Sequence, residues 1–387
     1  MAGARVHVLF FAPTVGGGGA ERHLVRVASH LDPARFRVSV AVCRGGGSYE
    51  GELGPGVAYH VLGVPRMLAA VRPLARLLRA ERPDLVCSFL DPANCVALAA
   101  AKLAGVDTAR VVGVQNTVSV SLGRGRGIRH QAIRRAIPHL YRRADAVVAL
   151  AQGVADDLQA QAPGLRGRIR VIHNAGYDDG ALRAAAEPLP EAEGVARPLL
   201  VACGRLTPQK DYPTLLRAFA RVRRSVPATL WIVGEGEQRG ELEALAGELG
   251  VADAVWLPGF QANPYRFMRA ADLFVLSSRW EGFGNVITEA MAVGTPVVAT
   301  DCTHGPREIL GDGESGILVP PGDHAALAAA LLRVLGDPAL ARGLAAGATE
   351  RARAFAAPAI AREYGGLFLE VLAARRGRVA GAAGAAR

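Results

Sequence analysis

Short runs of β-branched and aliphatic residues alternate, nearly from end to end, with Ala/Leu/Arg-rich segments whose apolar positions recur every three to four residues. Parallel strands cannot be joined by tight turns and need a crossover, usually a helix, so this alternation constrains the chain to an α/β architecture of parallel sheets covered by helices. In the first half the pattern predicts strands near 5–11, 36–43, 57–62, 84–89, 110–114, 145–150 and 169–172, with helices near 20–31, 67–81, 92–104, 128–143 and 151–161. Residues 174–198, NAGYDDGALRAAAEPLPEAEGVARP, are rich in Gly, Pro and acids and read as a linker. The alternation then restarts, with strands near 198–203, 228–233, 254–258, 272–277, 296–300 and 316–319. At 387 residues the chain exceeds the size at which a single core stops growing, about 250–300 residues. Two domains are expected, 1–185 and 186–355, followed by a segment 356–387. Its amphipathic part, APAIAREYGGLFLEVLAARR, is expected to reach back to the first domain, and GRVAGAAGAAR to fray.

Composition removes several function classes. The five cysteines stand far apart, with no Cys-x-x-Cys pair and no His at zinc spacing, so neither a disulfide framework nor a structural metal is suggested, and a reducing cytoplasm fits. The apolar start VHVLFFAPTV is followed by glycines and AERHL rather than a small-residue cleavage site, and reads as a first strand. No stretch reaches the roughly 18–20 uninterrupted apolar residues of a membrane-spanning helix. Residues 1–185 hold 24 Lys and Arg against 13 Asp and Glu, while 186–387 hold 21 against 22, so the first domain carries the whole basic excess. Aromatic residues are only 5% and are not interleaved with the basic run, which argues against base stacking and a nucleic-acid partner.

In open α/β sheets ligands sit beyond the carboxyl ends of the strands, and four motifs fall there. TVGGGGAERH (14–23) follows the first strand and opens a helix, so its amides can approach an anion; a flexible turn accounts for the same residues, and no Walker Lys-Ser/Thr follows. CGRLTPQKDYPTLL (203–216) ends a strand at Gly204 and presents Arg205 and Lys210, two cations suited to a diphosphate or simply solvated. WIVGEGEQRGEL (231–242) spaces its glycines G-x-G-x-x-x-G and lacks an acid at the end of the next strand, which weakens a nicotinamide-binding reading. RWEGFGNVITEAM (279–291) places Glu281 before a short helix starting near Asn285, and Glu289 one turn inside it, about 6 Å along the axis. Two carboxylates so placed can accept hydroxyls from two parts of one extended ligand while the intervening amides face what joins them, which describes a nucleotide-sugar.

GGGGAER, GRLTPQK, GEGEQ and SSRWEGFGNVITEAMAVGTPVVATDCTHGPREIL together resemble the retaining glycosyltransferases of family 4, over nearly the whole chain. The resemblance is nearest to transferases that use UDP-activated hexoses or N-acetylhexosamines to extend polyprenyl-linked or surface glycans. It implies the GT-B fold: two Rossmann-like domains with parallel sheets facing across a cleft, the donor mostly on the second.

By position the resemblance assigns Arg205 and Lys210 to the donor diphosphate, Glu281 to the donor sugar, Glu289 to the ribose and Phe283, Gly284 and Asn285 to the loop between them. Gly204 ends the donor-side strand, Gly18 and Gly19 match the loop that meets phosphates and acceptor, and Gly234 and Gly236 match a turn near the nucleoside. Where many relatives carry a His before an Asn on the acceptor side, this chain has Gln115 before Asn116, and neutral Gln cannot take a proton as His can. The implied reaction is transfer with retention from a UDP- or GDP-sugar to a glycan or lipid-linked acceptor, with the departing phosphate taking the acceptor proton. No Asp-x-Asp occurs, so no metal and no cofactor are expected. A GT-B sugar-nucleotide epimerase, a nicotinamide-dependent oxidoreductase and a noncatalytic basic adaptor are the alternatives. The segment 123–143, with Arg124, Arg126, Arg129, Arg134, Arg135, Arg142 and Arg143 and no acid, reads either as an interfacial helix meeting an anionic membrane from the cytoplasmic side or as an ordinary solvated helix. His173 is read as cleft-lining or as a structural hydrogen-bonding group, and Cys302 as a small core residue.

Overall fold

A computed structural model describes residues 5–115 and 139–385, with side chains as far as Arg378. The chain folds as two compact units, residues 1–175 with 357–387, and residues 176–356.

The first unit holds a seven-stranded sheet, every pairing parallel, in the order β3-β2-β1-β4-β5-β6-β7. Its strands are β1 Val6–Ala12, β2 Phe36–Val42, β3 Ala58–Val61, β4 Leu85–Phe89, β5 Ala109–Val114, β6 Ala146–Ala149 and β7 Ile169–Val171. Side chains alternate faces along a strand, so β1 serves two cores. Val8 and Phe10 pack with helix α1 (Gly19–His30) and the C-terminal helix Ala357–Ala385, through Leu24, Val27, Ile360 and Phe368. Leu9 and Phe11 pack with α2 (Val71–Glu81) and α3 (Asp91–Ala104), through Leu74, Leu78, Val96 and Ala97. The C-terminal helix continues through 377–385, where the sequence predicts fraying: its backbone bonds are internal, and four alanines, the strongest helix formers, stand there beside three glycines.

The second unit holds six parallel strands in the order β10-β9-β8-β11-β12-β13. They are β8 Leu199–Cys203, β9 Thr229–Val233, β10 Val255–Gly259, β11 Leu273–Leu276, β12 Val297–Thr300 and β13 Ile317–Val319. Leu200 and Ala202 of β8 join the core beneath the helices Tyr212–Arg223 and His324–Gly336. The helix Asn285–Ala292 takes no part in that core and packs beside Tyr265–Ala270. Residues 176–185, read above as the end of the first domain and part of a linker, belong to the second unit. Asp178 caps a helix Asp179–Ala185 by accepting from the Ala181 amide, and the helix packs on Tyr265–Ala270, with Asn263 Nδ2 donating to the Ala184 carbonyl at 2.7 Å.

Both sheets reverse their direction of spread at one place, between β1 and β4 in the first and between β8 and β11 in the second. The loops leaving those adjacent strands diverge there and leave a crevice at the carboxyl edge.

Candidate functional site

In the second unit the loops after β8 and β11 carry Arg205, Lys210 and Glu281 to that crevice. Lys210 Nζ lies 2.6 Å from Glu281 Oε1, with side chains only 14% and 8% exposed. Ser278 Oγ donates to the same carboxylate oxygen at 2.6 Å, and Gln209 Nε2 reaches Oε2 at 3.5 Å and the Trp280 carbonyl at 3.0 Å. The Ser277 hydroxyl donates to the Lys210 carbonyl at 2.7 Å, tying one loop to the other. The sequence reading gave Lys210 and Glu281 separate tasks; the fold pairs them, because the β8 and β11 loops leave neighbouring strands. Arg205 is exposed and, among the described residues, makes no side-chain hydrogen bond or ion pair. Arg279, on the same loop as Glu281, is instead bound to buried Asp211 at 3.0 Å, which raises the guanidinium's pKa further.

Gly284, at φ 101°, makes the left-handed turn from which the helix Asn285–Ala292 starts. Glu289 lies one turn inside, 6% exposed, near the Tyr265 hydroxyl at 3.5 Å. Phe283 sends its ring into the core, edge-on to Phe355 at 5.6 Å, so only its backbone is left for a ligand. The turn Gly234–Gly236 packs on the β8 loop: Leu206 N donates to the Glu235 carbonyl at 2.9 Å and Gln238 N to the Leu206 carbonyl at 3.1 Å. A Cβ on Gly234 would stand 2.0 Å from the Gly204 carbonyl oxygen, and one on Gly236 2.4 Å from that of Leu206. These glycines permit close backbone approach of two loops, which explains their spacing without a dinucleotide.

In the first unit Gly18 and Gly19 lie at the start of α1, in the loop leaving β1, and Gln115, 8% exposed, directly follows β5. Asn116, Arg134 and Arg135, and most of the basic segment 123–143, lie outside the described residues. Arg142 and Arg143 are described, and with Arg110, Arg168, Arg170 and Arg378 they line an open groove of about 660 Å³ at the amino ends of β5, β6 and β7, which also holds Glu370 and Asp145, the latter paired with Arg110 and Arg378. His173 Nδ1 lies 3.0 Å from the Leu150 carbonyl, a structural bond. His23 is fully buried between the Ala175 amide, which donates to its Nδ1 at 2.9 Å, and the Tyr364 hydroxyl; burial, then Arg26, pushes its pKa down to about 3. Cys302 is buried, and burial followed by the nearby Glu281 charge pushes its thiol up to about 12. Among the described residues no three His, Cys, Asp or Glu side chains converge on a metal position.

Two family profiles match successive parts of the chain: Glycosyltransferase Family 4 over residues 17–175, and Glycosyl transferases group 1 over 197–337. An uncharacterized glycosyltransferase of Methanocaldococcus jannaschii is 30% identical over 63% of this chain and 62% of its own length. A Rhizobium meliloti lipopolysaccharide core biosynthesis glycosyltransferase is 36% identical over 53% of this chain and 58% of its own, so these matches span about three fifths of either relative. The Campylobacter jejuni N-acetylgalactosamine-N,N'-diacetylbacillosaminyl-diphospho-undecaprenol 4-alpha-N-acetylgalactosaminyltransferase is 29% identical over 91% of this chain and 96% of its own. Among solved structures, Anabaena HepE in complex with UDP-glucose superposes with a TM-score of 0.77 at 26% identity, covering 95% or more of both chains.

Proposed function

We propose, on the premise that this chain carries a family 4 glycosyltransferase domain followed by a group 1 glycosyltransferase domain in the GT-B class, that it moves a hexose or N-acetylhexosamine from a UDP-sugar to a glycan or lipid-linked acceptor with retention of configuration. The observation that carries this reading is the crevice between β8 and β11, where the Lys210–Glu281 pair stands beside the helix that bears Glu289. Lys210 and Arg205 neutralise the diphosphate as the sugar C–O bond to phosphate breaks. Glu281 accepts a donor-sugar hydroxyl with the carboxylate oxygen that Lys210 and Ser278 leave free, and Glu289 accepts from the ribose. The acceptor oxygen bonds to the same face of the sugar, and its proton passes to the departing phosphate oxygen. Donors fixed before reaction stabilise the developing charge without reorganisation, so Lys210, held by Glu281, supplies most of the acceleration. With two cations in this role, the reaction needs no metal ion. The HepE complex with UDP-glucose supports the donor class, and the diphospho-undecaprenol named for the Campylobacter relative supports a lipid-linked acceptor.

A nicotinamide-dependent oxidoreductase is disfavoured by the close packing of Gly234 and Gly236 on the β8 loop, and by the sequence VWLPG of β10, which ends without an acid. The basic excess of the first half, with the arginine groove, supports peripheral docking on an anionic membrane from the cytoplasmic side. Among the described residues no single helix is long and apolar enough to cross one.

Calorimetry against UDP- and GDP-sugars, with NMR of the product anomer and a nicotinamide-reduction control, tests the function. Binding of a UDP-sugar and an axial product linkage from an axial donor are expected. An inverted product would refute retention, and reduction of nicotinamide would refute the transferase.

A further inference from the structure

The first unit has a crevice of its own at the carboxyl edge between β1 and β4, and its chemistry is concentrated on the β4 side. β1 feeds α1 onto one face of the sheet and β4 feeds α3 onto the other, so the loop Gly16–Gly19 and the turn Leu90–Asp91 flank the gap. Strand passes to helix within two residues. Leu90 accommodates this at φ 74° and ψ 136°, a conformation rarely adopted by a residue with a side chain, and Asp91 becomes the first residue of α3.

Three fully buried polar side chains stand behind Asp91. Ser88 Oγ donates to Asn94 Oδ1 at 2.8 Å; Asn94 Nδ2 donates to the Gly113 carbonyl and to the Tyr141 oxygen, both at 2.9 Å; and Tyr141 donates to Asp91 Oδ1 at 2.5 Å. The donors all point one way, and the chain ends on the carboxylate. Such a satisfied network in low dielectric holds its last member in one orientation. Among the described residues no cation pairs with Asp91 and its second oxygen carries no hydrogen bond, although the residue is only partly covered. A structural acid capping its own helix would not need a tyrosine, an amide and a serine aligned behind it.

We propose that Asp91 Oδ2 receives a hydroxyl of the acceptor glycan in this crevice, with the Ser88–Asn94–Tyr141 chain as its positioning support. The assignment rests on the transferase reading above. A carboxylate held only by neutral donors and open on one oxygen suits a neutral hydroxyl. The placement also meets the departure at Gln115, which directly follows the neighbouring strand β5 and has no proton affinity to offer: the charged acceptor stands instead just beyond β4.

Burial raises the Asp91 carboxyl above its ordinary range, opposed by the Tyr141 hydrogen bond. Among the described residues the other titratable groups facing it are Tyr141, raised well above its usual value by burial, and Cys95, pushed up to about 11 by burial and then by Asp91 itself. Neither changes charge in acid, so of these groups Asp91 is the one that can set an acid limb on acceptor binding.

The test uses the full chain, a UDP-sugar that the wild type binds, and a short-chain polyprenyl-diphospho-N-acetylhexosamine as acceptor. Asp91→Asn is expected to raise the acceptor KM at least 10-fold while the UDP Kd stays within 2-fold, and Asp91→Glu to recover part of the loss. Tyr141→Phe is expected to raise the acceptor KM less. The wild-type acceptor KM should rise as pH falls through the elevated Asp91 pKa, with UDP binding unchanged over that range. Unaltered transfer kinetics in Asp91→Asn overturn the proposal, as does a wild-type acceptor KM with no acid limb, which decides the matter even if the variant fails to fold. A wild type that binds neither UDP nor any UDP-sugar overturns the transferase reading instead.

Discussion

Replacing Lys210 by methionine keeps most of the side chain's bulk and removes its charge, which leaves Glu281 at 8% exposure with Ser278 and a distant Gln209 as its remaining donors. Breaking a buried ion pair by removing one partner costs about 3–5 kcal/mol, and the Ser278 bond together with the 14% exposure of Lys210 puts this case near the lower end, about 3 kcal/mol. A unit of this size shifts its Tm by about 2–4 °C per kcal/mol, so K210M should lower the melting of the second unit by roughly 6–12 °C. K210M/E281Q removes both charges and should recover most of that loss, to within about 1 kcal/mol of wild type. Turnover should not follow stability. Loss of a preorganised donor to the leaving group costs about 10²–10³ in kcat, so both variants should release UDP from the donor roughly 100-fold more slowly or worse. Differential scanning calorimetry and a coupled UDP-release assay separate the two effects. A K210M/E281Q variant that turns over near the wild-type rate, or a K210M variant that melts like wild type, would refute the dual role of the pair.

Arg205→Ala should lose turnover by about 1.5–3 kcal/mol of transition-state stabilisation with an unchanged Tm, since Arg205 is exposed and bonded to nothing among the described residues; near-normal UDP release would remove it from the donor site. Glu289→Ala should weaken binding of free UDP, whereas Glu281→Gln should weaken chiefly the sugar-bearing donor, and calorimetry giving the reverse order would exchange the two acids. Chelation with EDTA should leave UDP release unchanged, and a loss restored by added Mg²⁺ would show that a metal assists the leaving group. His23, with a folded pKa of about 3 against about 6.5 unfolded, binds its proton more readily in the unfolded chain, so its contribution is complete above about pH 6.5 and falls by about 1.4 kcal/mol per pH unit on acidification. Urea midpoints for the first unit should therefore decline between pH 6.5 and 5, and His23→Gln should flatten that slope; an equal slope in the variant would assign it to other groups.

Strand and helix positions were legible in the amino-acid sequence because they depend on local periodicity: β1, β4, β8 and β11 all fall where β-branched runs predict them. The positions of Lys210, Glu281 and Glu289 beyond predicted strands were legible too: the fold sets Lys210 and Glu281 in the loops after β8 and β11, and Glu289 one turn inside the helix Asn285–Ala292. The Asp179–Ala185 helix was missed because seven residues carry too little period to be seen and its stability comes from packing on Tyr265–Ala270. Partners distant in the chain were not legible at all. Lys210 and Glu281 are 71 residues apart, and Asp91 and Tyr141 are 50 apart; nothing in either local stretch states that the strand before one will lie beside the strand before the other. That choice is made by strand order, through the packing of helices on the two faces of each sheet. The glycines of GEGEQ show the same division: sequence marks a turn that tolerates unusual backbone, but only the approach of the β8 loop to within 2.0 Å of a Gly234 Cβ reveals why no side chain is permitted there.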